Sequence, residues 1–250
     1  MDLKGKTILT TRAASQSGEL RSKLENLGAR VIECPAIEIV PVEDWTAVDE
    51  AVANIATYDW LLFTSANAVE YFMRRVRHAG VTCRTAIAVV GTATARKLRE
   101  WNLEPSVVPK EFRAEGLLEA FPPSLYKTAI LFPRAEVARE ILPRELRRRG
   151  ARVDVIPVYR TLRPGPESPA IADILSSEKI DCIVFTSPST IRYFAESVGE
   201  TFLQLLAHVP VAVIGPVTRD AAHELGVSTS ILPGESTIDA LVAAIAASLS

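Results

Sequence analysis

Short apolar runs of strand length alternate with longer runs of helical period along nearly the whole chain. Strands are expected at Thr7–Thr10, Arg30–Glu33, Trp60–Thr64, Ala86–Val90, Ser106–Val108, Ala129–Phe132, Arg152–Ile156, Cys182–Thr186, Val211–Ile214 and Thr229–Leu232. Between them the spacing predicts helices over Ser15–Leu27, Asn67–His78, Thr92–Trp101, Val137–Arg149, Ser189–Val198, Thr218–Leu225 and Ile238–Leu249. Gly28, Gly150 and Gly226 fall where three of these helices should stop. Strands that are apolar throughout and separated by helices belong in parallel sheets covered on both faces. The expected class is α/β, with two flavodoxin-like or Rossmann-like lobes.

The pattern is written twice. Asp59-Trp60-Leu61-Leu62-Phe63-Thr64-Ser65-Ala66-Asn67 returns as Asp181-Cys182-Ile183-Val184-Phe185-Thr186-Ser187-Pro188-Ser189, 122 residues later. Ile8-Leu9-Thr10-Thr11-Arg12-Ala13, with Gly28-Ala29-Arg30-Val31, returns at the same displacement as Ile130-Leu131-Phe132-Pro133-Arg134-Ala135 and Gly150-Ala151-Arg152-Val153. Val89-Val90-Gly91 and Thr94 match Val213-Ile214-Gly215 and Thr218 at 124 residues. Three ordered matches at nearly one offset indicate a duplicated half, and such a chain is expected to carry its site between the halves. Two extended segments bounded by proline, Cys34–Pro41 and Pro157–Pro164, break the rhythm and are equivalents in the repeat. They are candidates for connections between lobes. Periodicity leaves open whether each lobe is continuous or the first βαβ unit of each half is exchanged.

Composition narrows the partners. A net charge of −2 offers no global attraction to nucleic acid or membrane, so an anion site has to be local. The start Met1-Asp2-Leu3-Lys4-Gly5-Lys6 has no apolar signal core, which points to a cytoplasmic protein. Thr201–Thr218 lacks charged side chains, but Pro210, Gly215 and Pro216 divide it into pieces too short to span a membrane. Cys34, Cys83 and Cys182, like His78, His208 and His223, are scattered without metal-ligand or redox spacing, and no metal site is expected.

The chemistry-bearing residues sit where strands end. Ser65 and Asn67, and their equivalents Ser187 and Ser189, lie at strand-to-helix junctions, where such side chains either cap the helix or help its N-terminus bind an anion. Gly91 with Thr94 and Gly215 with Thr218 follow apolar strands in the same way. Neither G-x-G-x-x-G nor G-x-x-x-x-G-K-[ST] occurs, so these turns are not nucleotide-binding fingerprints. Arg12 and Arg134 stand at carboxyl ends of strands, suited either to a solvated ion pair or to gripping a substrate carboxylate. Tyr159 lies in the second proline-bounded segment, where a tyrosine packs or supplies a proton. Without a nucleophile triad or paired carboxylates, an enzyme of this kind would work by positioning and electrostatics. A non-catalytic bilobal anion-binding module, or an enzyme taking a sugar phosphate at the paired helix starts, fits the same residues.

Taken together, these strings resemble the uroporphyrinogen-III synthase family over nearly the whole chain. The resemblance rests on Arg12, Phe63-Thr64-Ser65, Val90-Gly91 with Thr94, Pro133-Arg134-Ala135-Glu136, Val158-Tyr159-Arg160-Thr161, Phe185-Thr186-Ser187-Pro188-Ser189, Ile214-Gly215-Pro216 with Thr218, and Thr237-Ile238-Asp239-Ala240-Leu241. It implies residues 1–36 with 165–250 in one lobe and 37–164 in the other, linked by a two-stranded connection near 34–41 and 157–166, with the first βαβ unit exchanged. It also implies a cofactor-free, monomeric enzyme that cyclises the linear tetrapyrrole hydroxymethylbilane, with at most transient contact with the enzyme supplying it. Under the resemblance Tyr159 assists departure of hydroxide, Ser187 and Thr218 line the substrate cleft, and Ser65 and Thr94 follow them through the internal repeat.

Overall fold

The computed structural model describes residues 2–109, 114–165 and 171–249. Residue 166, the last of the expected second connection, lies outside them. Nine strands form among the described residues: β1 Thr7–Thr10, β2 Arg30–Glu33, β3 Glu38–Pro41, β4 Trp60–Phe63, β5 Ala86–Val89, β6 Ala129–Ala135, β7 Arg152–Leu162, β8 Cys182–Phe185 and β9 Val211–Val213. They build two sheets, ordered β2-β1-β8-β9 and β3-β7-β6-β4-β5. Pairing is parallel throughout the first sheet and from β7 through β6 and β4 to β5 in the second. The protein is thus mixed α/β with parallel sheets.

The chain divides into two compact units, Met1–Ile39 with Leu162–Ser250, and Val40–Thr161. In the first, β1 pairs with β8, Ile8 lying opposite Cys182 and Thr10 opposite Val184. In the second, β6 pairs with β4, Trp60 opposite Ile130. The opening βαβ segment therefore joins strands from late in the chain. At a displacement of 122 residues β1 falls on β6, β2 on β7 and β4 on β8, so β2-β1-β8-β9 and β7-β6-β4-β5 share one order.

Side-chain alternation explains why these runs are apolar from end to end. In β8 every residue is buried. Ile183 and Phe185 pack with Leu9, Ile191 and Phe194 on one face, while Cys182 and Val184 pack with Ile8, Leu20, Leu241 and Ile245 on the other. Helices cover both faces, so neither set of side chains can be polar. Phe185 meets Phe194 edge-on, with ring centroids 5.2 Å apart.

An aspartate secures each long-range strand pair. Asp181 accepts from the Thr7 N–H at 2.8 Å, and its own N–H donates to the Thr7 carbonyl at 2.9 Å. Asp59 does the same for Ala129, at 2.8 and 2.9 Å. These aspartates begin the two repeated strings, which accounts for a charged residue ahead of each apolar strand.

The structure departs from the periodicity in particular places. β7 runs eleven residues, taking the proline-bounded segment into the sheet as far as Leu162. Ser106–Val108 and Thr229–Leu232 contribute only single bridges, Val107 to Ala88 and Ile231 to Ala212. The helix expected from Val137 begins at Ile141, because β6 continues to Ala135 and the Glu136 N–H donates to the Tyr159 carbonyl at 2.9 Å. Short helices at Thr46–Ala53, Ala114–Ala120 and Ile171–Ser177 had no distinct apolar signature. Among the described residues no helix is long and apolar enough to cross a membrane.

Replacing Asp181 by Ala leaves the Thr7 N–H without its side-chain acceptor. A loss of about 1 kcal/mol is expected in urea unfolding, and a smaller loss for Asp59→Ala, whose carboxylate is more exposed.

Candidate active site at the carboxyl edges of the sheets

Parallel strands bring their carboxyl ends to one edge, and there the sequence concentrates its hydroxyl, glycine and arginine residues. In the Val40–Thr161 unit, β4 leads to Ser65, β5 to Gly91, and β6 carries Arg134 close to its end. Ser65 has extended backbone and caps the helix Ala66–His78, its hydroxyl accepting from the Ala68 N–H at 3.1 Å. Gly91 begins the helix Thr92–Arg99 without a side-chain cap, and Thr94 is buried in the first turn.

Tyr159 reaches this edge through an irregularity in β7. Arg134 lies opposite Pro157, but its successor Ala135 lies opposite Tyr159, so Val158 is the extra residue of a bulge. The bulge turns Tyr159 toward the face that Val158 would otherwise take. Pro157 has no N–H to offer the ladder, which suits it to this break. The tyrosine is only 8% exposed. Its phenol oxygen lies 3.2 Å from Ser65 Oγ and is also hydrogen-bonded to the Asn67 side chain. Its ring stacks on that of Tyr71, with centroids 6.0 Å apart and planes inclined by 18°. Burial holds the phenol pKa above the ordinary 10.0, opposed by the bonds to Ser65 and Asn67 and reinforced by Tyr71. The phenol is therefore neutral at physiological pH, with its oxygen held by Ser65 and Asn67.

Arg134 is as buried as Tyr159. Its guanidinium donates to the Arg139 carbonyl at 3.0 Å, pairs with the exposed carboxylate of Glu140, and lies 5.7 Å from the centre of the Phe132 ring. Arg134 thereby ties the exposed segment 136–140 to the end of β6. Glu140 therefore already holds the side of the guanidinium that a substrate carboxylate would otherwise take.

In the other unit, β1 leads through Thr11 to the half-buried Arg12, and the Thr11 hydroxyl donates to the Val184 carbonyl at 2.8 Å. Ser187 caps the helix Pro188–Val198 in a reciprocal box. It accepts from the Thr190 N–H at 3.2 Å, and its own N–H donates to Thr190 Oγ1 at 3.2 Å. Ser187 Oγ lies 2.9 Å from Ser189 Oγ, forming a pair of adjacent hydroxyls. Gly215 begins the helix Pro216–Glu224 without a side-chain cap, with Thr218 buried one turn in. Both serines thus cap helices, but only Ser65 also holds a phenol. The position equivalent to Tyr159 in the repeat is the buried Ile37.

The family model described as "Uroporphyrinogen-III synthase HemD" matches residues 18–243. The chain belongs to the uroporphyrinogen-III synthase family. It is 40% identical to the uroporphyrinogen-III synthase of Synechococcus elongatus, over 96% of this chain and 94% of that protein. It is 29% identical to the enzyme of Chlorobaculum parvum, over 91% and 93%. Its fold resembles that of a mutant uroporphyrinogen III synthase from Thermus thermophilus, with a TM-score of 0.71, 20% identity, and coverage of 98% of this chain and 99% of that one.

Within this family fold, the sequence reading missed two contributors. Tyr71 occupies the border between the buried and exposed sides of its helix, and an aromatic ring four residues after Asn67 was the available signal. Ser236 presses against Gly215, where an added Cβ would lie 2.1 Å from Ser236 Oγ and 3.1 Å from Ser236 Cβ. Gly215 is extended, with φ −179°, so glycine is needed there for space rather than for backbone conformation. The thiols are poor nucleophiles: burial pushes Cys34 up to about 11 and Cys182 up to about 12. Among the described residues no group of three or more His, Cys, Asp or Glu side chains could hold a metal ion.

Gly215→Ala is expected to lower stability by about 1 kcal/mol, because the Ser236 hydroxyl can swing aside but its Cβ cannot. The double variant Gly215→Ala/Ser236→Gly should recover most of that loss. Thermal unfolding of the four proteins checks the coupling, and additive losses would show that the contact is not responsible.

Proposed function

We propose that this chain cyclises hydroxymethylbilane, a linear tetrapyrrole bearing eight carboxylates, to uroporphyrinogen III with loss of water and inversion of ring D. Family membership and the identity with the Synechococcus elongatus enzyme support a role in tetrapyrrole biosynthesis. The observation that carries the chemistry is the buried Tyr159 phenol, aimed by Ser65 and Asn67 at the carboxyl edge of its sheet.

Hydroxide leaves the hydroxymethyl carbon of ring A, and the Tyr159 phenol donates a hydrogen bond to the departing oxygen. Its raised pKa makes it a donor that keeps its proton, stabilising developing charge instead of titrating with each turnover. The resulting azafulvene is attacked by the substituted carbon of ring D. The spiro intermediate fragments, and ring D rejoins in the inverted sense with loss of a proton, so hydroxide and proton together account for the water. Such substrates close unaided to the uninverted isomer, so the protein's main task is holding the reacting carbons in the productive order.

Arg12, Ser187, Ser189, Gly215 and Thr218 in one unit, and Gly91 and Thr94 in the other, are proposed to hold substrate carboxylates through side chains and helix-start N–H groups. Arg134 joins them if a substrate carboxylate takes the place of Glu140. We place the activity in the cytoplasm, in a monomer working without a cofactor. The non-catalytic binding reading is not favoured by the close identity to synthases.

Freshly prepared hydroxymethylbilane given to the purified protein should yield the inverted isomer on chromatographic separation; formation of the uninverted isomer alone would overturn the proposal. Tyr159→Phe keeps the ring and removes the donor. It should lower kcat by at least about 10-fold with little change in KM. In wild-type protein, any alkaline limb that Tyr159 imposes on kcat should have its midpoint above pH 10.0, because the folded-state pKa is raised from that value.

A further inference from the structure

Tyr71 stands outside the reaction as written, yet its position is unusual for a helix residue of its kind. Its helix buries Ala68, Val69, Phe72, Met73 and Val76 in the core of the unit. Tyr71 itself is half-buried and takes no part in that row. Instead it follows Asn67 by four residues, which puts both side chains on one face of the helix. Both meet Tyr159: Asn67 at the phenol oxygen, Tyr71 across the ring. With Ser65 at the helix start, one element grips Tyr159 at its oxygen and along its flat face.

We infer that Tyr71 is a positioning residue for the cyclisation, whose ring clamps Tyr159 so that the phenol stays on Ser65 and Asn67 and faces the departing oxygen. The inference rests on the role proposed for Tyr159. The bulge at Val158 gives a physical reason for the clamp. A residue beside a bulge has lost part of the ladder that would fix its orientation, and stacking on a ring from a separate helix restores it. Stacked aromatic pairs of this kind also exclude water from the shared face, in keeping with the burial that displaces the Tyr159 phenol upward. The contact that makes the clamp is between the two rings, so phenylalanine should serve in place of Tyr71.

The test compares Tyr71→Phe, Tyr71→Leu and Tyr71→Met with wild type, using two measurements on the full chain. The first is the isomer-resolved rate with hydroxymethylbilane. The second follows the five tyrosines by NMR of protein labelled at the tyrosine ζ carbon, with the Tyr159 signal identified by its loss in Tyr159→Phe. Tyr71→Phe should keep kcat within about twofold and leave Tyr159 titrating above 10.0. Tyr71→Leu and Tyr71→Met should lower kcat roughly 10-fold at nearly constant KM, and shift the Tyr159 titration downward as water gains access. Either of these two variants, if folded by circular dichroism, decides the matter, and methionine retains enough bulk to guard against collapse. An unmoved Tyr159 titration with wild-type kcat in the folded variant overturns the inference, as does a phenylalanine variant impaired as much as the leucine one. The NMR measurement needs no substrate. A wild-type protein that made no uroporphyrinogen III would therefore overturn the cyclisation reading, while the titration still decided the clamp.

Discussion

Both sheets depend on a parallel strand pair drawn from distant parts of the chain, β1 on β8 in one unit and β6 on β4 in the other. The bond from the Thr7 N–H to Asp181 spans 174 residues. Closing such loops costs chain entropy before any local contact compensates, so these pairs have to be secured by burial and by well-made hydrogen bonds. The apolar β8 supplies the first, with every residue buried and both faces covered. Asp59 and Asp181 supply the second by bracketing the first residue of the neighbouring strand. Once those registers are set, the carboxyl ends of the strands are aligned, and the proposed site residues at strand ends take their places from that alignment.

The two units use this edge differently. After β8, the Ser187 hydroxyl caps a helix and faces that of Ser189. Near β4 and β6, the cap serine also holds a buried phenol, and a buried arginine ties down the following segment. The difference traces to one bulge in β7 and to Tyr159 standing where the repeat has Ile37. A neutral donor in a largely water-free setting suits a reaction whose difficulty lies in which carbon attacks. Its hydrogen bond is strong there, and its proton is not lost to solvent.

Much of this was legible beforehand. The strands β1 and β2 and the helix Ile238–Leu249 have the limits that the spacing of their apolar residues predicted. The hydroxyl and glycine residues at strand ends were legible because helix starts restrict which residues can stand there. The extension of β7, the late start of the helix at Ile141 and the reduction of two expected strands to single bridges were not. Each depends on which backbone groups a neighbouring segment offers, and periodicity carries no record of that. Arg134 illustrates the limit well. Its place at a strand end was readable, but its engagement by Glu140 and the Arg139 carbonyl depends on how the 136–140 segment folds back.

The sequence by itself determined the class of fold, the repeated strings, the strand ends where the proposed site residues stand and the family to which the chain is similar. These follow from local constraints: side-chain alternation in doubly covered strands, capping at helix starts, and the order of short motifs. The tertiary structure decided which segments pair, and with them that the first βαβ unit joins strands from late in the chain. It also decided that Tyr159 meets Ser65, Asn67 and Tyr71. Those contacts join residues almost a hundred positions apart through a one-residue bulge, and a bulge reverses side-chain facing without any change in the apolar pattern that precedes it.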